Sequence, residues 1–74
     1  MLPDHEIGAL LEAVDEACRL AQEGSTGTAY SVLSCGLEKA TREAEDGSPW
    51  GEELVTRWEL AIERFCDRWG VPLR

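Results

Sequence analysis

The sequence predicts an all-α protein, a small antiparallel three-helix bundle with helices at about 5–23, 27–46 and 49–69. Three observations carry that expectation. Apolar residues recur at helical spacing in three successive segments. Glycine-bearing turns separate those segments at 24–27 and near 47. No stretch shows the strict alternation of a half-buried strand. Connections of a few residues make sequential helices antiparallel neighbours. Positions 1–74 therefore read as a single helical domain with a short C-terminal tail at 71–74. A chain of 74 residues buries only about 60–65% of the surface its unfolded form exposes. Domains this small lean on disulfides, a metal, oligomerisation or very regular helix packing.

The first helix opens at Pro3-Asp4, with Asp4 placed to act as N-cap and Glu6 in the favourable first turn. Ile7, Leu10, Leu11, Val14, Cys18 and Ala21 follow the i, i+3, i+4, i+7 pattern and are expected to face the core. Glu12, Asp15, Glu16, Arg19, Gln22 and Glu23 fill the opposite arc, while Ala9, Ala13 and Leu20 form a weaker flanking stripe. Gly24 ends the helix, and Gly24-Ser25-Thr26-Gly27 is a compact stop-and-start signal. In the second helix Ala29, Leu33, Gly36, Leu37, Ala40 and Ala44 share one face, with Tyr30 at its edge. Gly36 in mid-helix costs up to about 1 kcal/mol relative to alanine, which marks a close approach by another backbone. Glu38 and Arg42 are spaced for a surface pair, and the helix runs out near Glu45-Asp46-Gly47.

The third helix has the clearest start signal: Ser48 as N-cap, Pro49 at the first helical position, then Glu52-Glu53. Leu54, Trp58, Ala61, Ile62, Phe65 and Trp69 form its apolar stripe, with Trp50 at one end. Gly70 before Val71-Pro72 is a matching stop.

Within 10–44, Gly24 closes one helix, Ala29 follows five residues later, and Leu33 and Gly36-Leu37 lie along the next. That arrangement resembles a single tetratricopeptide-type helical hairpin, with the third helix in the place of a capping helix. The aromatic and Leu-Gly signature of such a repeat's first helix is missing, and no second copy follows. The resemblance implies protein or peptide binding.

The formal charge of −8 is unevenly spread. Positions 1–23 carry six acids against one arginine, whereas 48–74 carry five acids against four arginines. Nucleic-acid affinity requires clustered Lys and Arg, so direct binding to DNA or RNA is not expected, nor is binding to anionic membranes. No basic leader and no apolar run of about 20 residues is present, and the expected location is cytoplasmic. Cys18, Cys35 and Cys66 are odd in number and form no CxxC pair. They are expected to be buried or half-buried apolar residues in a reducing compartment. His5 is the single histidine, so no zinc-like ligand set can be drawn. No metal and no cofactor is expected.

Nothing in the chain assembles a reactive set. The turn 24–27 lacks the lysine and preceding strand of a phosphate-binding loop. Nucleophilic catalysis needs a base, and the acids of the first helix lie on its solvated arc, so the protein is not expected to be an enzyme. Arg57, Arg64 and Arg68 lie along one side of the third helix, with Glu53 four residues before Arg57. Trp and Phe side chains bury roughly 150–250 Å² each, and Trp58 with Phe65 is assigned to the core. Trp50 and Trp69 near the helix ends, with Val55 and Leu60 outside the main stripe, are the expected partner contacts. The functional expectation is a small acidic protein–protein interaction module, an adaptor or accessory subunit acting through the apolar and aromatic face of the third helix. Its partner is a protein, with a second copy of the chain among the candidates. The alternative is an acidic inhibitor, DNA-mimic or antitoxin-like, that docks on a basic nucleic-acid-binding protein through Glu12, Asp15, Glu16 and Glu23.

Overall fold

A computed structural model describes residues 2–72 as three helices, α1 (Asp4–Gln22), α2 (Thr26–Glu45) and α3 (Gly51–Trp69). They form the expected three-helix bundle, and the described residues contain no strand. Of the predicted tail at 71–74, positions 73 and 74 lie outside the described residues, and Val71 packs against the core. The helix α2 is the middle element. It packs extensively on both α1 and α3, which meet each other along a much thinner seam.

All three helices stop in the same way. Gly24, Gly47 and Gly70 have positive φ of 90°, 88° and 69°. The residue after each donates its N–H back across the last turn: Ser25 to the Leu20 carbonyl (2.8 Å), Ser48 to Glu43 (3.1 Å) and Val71 to Cys66 (3.0 Å). This is the Schellman closure, in which a left-handed residue satisfies carbonyls the helix leaves open.

The starts depart from expectation, because none carries a side-chain capping bond. Asp4 does not cap α1 but begins it. Pro3 holds the cap position, and its carbonyl accepts from the N–H groups of Glu6 and Ile7 at 3.1 and 3.2 Å. Nor does Ser48 cap α3, which begins two residues later than predicted. Ser48-Pro49-Trp50-Gly51 instead forms a turn closed by the Gly51 N–H on the Ser48 carbonyl at 3.1 Å. Trp50, at φ −108° and ψ 5°, holds the third position of a type I turn. Serine first, proline second and glycine fourth are the residues such a turn favours.

The core is uneven in its sources. The larger share comes from α3 through Leu54, Trp58, Ile62, Phe65 and Cys66, while α2 contributes Ala29, Leu33 and Ala40. Only Ala17 and Ala21 of α1 are buried, with Leu10, Ala13, Val14 and Leu20 packed at the margin. Ile7 and Leu11, expected inside, are exposed. The inner face of α1 is therefore rotated toward its small residues, which let α1 and α2 approach closely. Two glycines admit what a side chain would exclude. A Cβ on Gly36 would overlap the Trp58 ring, so the expected close approach is real but comes from an indole rather than a backbone. The backbone approach occurs at Gly51, where a Cβ would collide with the main chain of Ala44 in α2.

Candidate functional site: the α1–α3 groove

The thin seam between α1 and α3 leaves a groove of about 350 Å³. Leu10, Leu11, Val14 and Cys18 of α1 line it on one side, and Leu60, Ala61, Phe65 and Trp69 of α3 on the other. Arg57, Arg64 and Arg68 stand along the α3 rim. Helical periodicity explains the layout. The residues 7, 11, 14 and 18 of α1 form one ridge, offset from the buried Ala17 and Ala21. Positions 57, 60, 61, 64 and 68 of α3 form a second face beside the buried one.

Ile7, Leu11 and Leu60 are the exposed large apolar side chains of the described residues, at 39%, 61% and 41%. Leu11 and Leu60 flank the groove, and Ile7 sits one turn before Leu11 on the same ridge. Trp69 closes one end. Its ring lies 6.4 Å from that of Phe65, tilted by 40°, and the Arg68 guanidinium carbon is 5.6 Å from its centroid. A cation over an indole at an exposed site is worth about 0.5–1 kcal/mol. Arg57 pairs with Glu53 at 3.6 Å. Arg64 has no ion-pair partner among the described residues.

The structure separates the residues singled out in the sequence. Leu60 and Trp69 come together on the groove. Val55 lies on the other side of α3, half-buried beside Thr41 and Ala44 of α2. Trp50 is half-buried in the turn before α3. The indole N–H groups of Trp50 and Trp69 and the Ser48 hydroxyl are shut off from solvent, without a hydrogen-bond partner among the described residues. Glu12, Asp15 and Glu16 on α1 and Glu23 just past its end are all exposed, but Arg19 reaches both Glu16 and Glu23 at 3.4 Å and breaks up the negative face. His5 is exposed, 3.7 Å from the Glu6 carboxylate. Leu11 is the groove residue the sequence hid, and Ile7 one turn before it was misread in the same way, because their helical spacing matches that of a core face.

Among the described residues no three His, Cys, Asp or Glu side chains converge as metal ligands. None of the described helices is long and apolar enough to cross a membrane. The groove's lining offers apolar burial, and its guanidinium rim offers charge-assisted hydrogen bonds to carboxylates. No protein-family model, curated protein or solved structure matches the chain.

The three thiols differ in access: Cys66 is buried and Cys18 half-buried, but Cys35 is exposed, contrary to expectation. Burial, with the negative charge of Asp67 adding to it, pushes the Cys66 thiol up. A thiol reagent should therefore modify Cys35 first, Cys18 more slowly and Cys66 only on unfolding. A raised acid holds its proton longer in the folded chain than in the unfolded one. Stability is thus retained at neutral pH and falls as pH rises through the ordinary thiol range toward the folded value. The urea midpoint should drop in alkaline buffer, and part of that drop should vanish in Cys66→Ala.

Proposed function

We propose that the protein is a small acidic helical interaction module, an adaptor or accessory subunit, whose docking surface is the apolar groove between α1 and α3. The observation that carries this reading is that Leu11 and Leu60, two of the three exposed large apolar side chains, line one groove, with Ile7 one turn before Leu11 on the same α1 ridge. Single exposed apolar residues are ordinary, whereas a contiguous set rimmed by charge marks an interaction site. Burying a fully exposed leucine is worth roughly 1.5–3 kcal/mol; with Leu11 61% and Leu60 41% exposed, covering both is worth about one such side chain. The reading assigns the protein no catalytic step. Peptide binding by tetratricopeptide-type hairpins, which 10–44 resembles, fits the same role.

The test is capture of partners from the native cell by tagged wild-type, Leu11→Glu and Leu60→Glu chains. Both side chains are exposed, so each variant should keep its stability to within about 0.5 kcal/mol while losing the partner. A partner that both variants retain argues against the groove. Its loss on Glu12→Gln, Asp15→Gln and Glu16→Gln together, or in about 0.5 M salt, selects the acidic inhibitor of a basic nucleic-acid-binding protein instead.

A further inference from the structure

We propose that the occupant of the α1–α3 groove is the α1 ridge of a second copy of this chain, in a two-fold symmetric dimer. The inference rests on the groove being the docking surface and names what fills it. An apolar floor with an arginine rim calls for an apolar ridge flanked by carboxylates. The chain carries such a ridge on α1. Ile7 and Leu11 form its crest, and Asp15, four residues beyond Leu11, shares its outer flank with Asp4. Ridge and groove lie side by side on one patch. That is the condition for an isologous interface, in which each copy gives and receives the same contact. Arg64, without an ion pair among the described residues, is the rim cation free to meet an incoming carboxylate. The opposing factor is the net charge of −8 on each chain. At physiological ionic strength charges more than about 8 Å apart are largely screened, whereas an aspartate against the arginine rim lies inside that distance.

The test is sedimentation equilibrium of the full chain from about 1 μM to about 1 mM, with circular dichroism to confirm that each variant keeps its helices. The wild-type chain should dimerise, and Leu11→Glu should raise the dissociation constant by about tenfold or more, the scale of one lost hot-spot side chain. Arg64→Glu and Asp15→Arg should each weaken the dimer alone. Mixed in equal amounts they should recover a heterodimer, because each carries the charge the other now needs. A mixture that fails to recover overturns the charge match on which the second copy was chosen. A dimer indifferent to Leu11→Glu overturns the proposal as well. So does a wild-type chain that stays monomeric throughout. If that monomer still loses a cellular partner on Leu11→Glu, the groove remains a docking surface and only its occupant changes, to an acidic amphipathic helix of another protein.

Discussion

Trp58→Ala is expected to remove about 3–5 kcal/mol of folding stability, the range for deleting a large buried aromatic side chain. Trp58 is only 6% exposed, and its ring lies over Gly36 at the centre of the α2–α3 packing. Native domains hold about 0.05–0.15 kcal/mol per residue, roughly 4–11 kcal/mol for a 74-residue chain, so this loss takes a large part of the total. Urea unfolding followed by circular dichroism should show a strongly lowered midpoint or no cooperative transition. A midpoint close to that of the wild type would mean that the indole is not packed as described. Gly36 gives the matching half of the experiment. In the wild type, Gly36→Ala drives a methyl into the ring, an overpacking cost of about 1–3 kcal/mol that exceeds the gain of up to about 1 kcal/mol from helix propensity. With Trp58→Leu already in place the methyl has room, and the same change should become neutral or stabilising. That reversal of sign measures the contact directly.

The second large effect is expected at Gly51, where alanine should cost about 2–3 kcal/mol. The new methyl would meet the main chain of Ala44, so no rotation of a side chain can relieve it. The helices α2 and α3 must separate instead, just where the Ser48–Gly51 turn joins them. Gly27 is the control. A Cβ there meets nothing within 4 Å, and Gly27→Ala should stabilise by about 0.4–1 kcal/mol by narrowing the unfolded ensemble. Thermal or urea unfolding of the two variants side by side should move their midpoints in opposite directions.

These two glycines show what could be read from the chain and what could not. Gly36 announced a close approach, because its cost inside a helix demands a reason, but not whether a ring or a backbone made it. Gly51 was silent, since a glycine in the first turn of a helix expected to begin at Pro49 gives no sign of what packs against it. Helix ends were legible at the C-terminal side, where Gly24, Gly47 and Gly70 supply a backbone conformation other residues avoid. At the N-terminal side, Ser48-Pro49 fits a capped helix and a type I turn equally well, and local chemistry cannot choose between them. The buried face of α1 was misjudged because large apolar side chains dominate any periodicity, whereas a tight crossing wants small ones such as Ala17 and Ala21. Leu11 therefore looked like core. The groove was hidden for a related reason: it belongs to two helices at once, and its existence depends on how thinly they meet.

The central place of α2 also bears on how the chain reaches its fold. Because α2 lies between its partners in sequence as well as in space, most packing joins helices that are chain neighbours linked by tight turns. Little loop-closure entropy has to be spent before contacts form. Such low-contact-order helical domains fold in microseconds to milliseconds, so two hairpins sharing one helix can assemble almost independently. The α1–α3 seam, which carries the groove, joins the two helices farthest apart in the chain, so its closure spends the most loop entropy for the least packing.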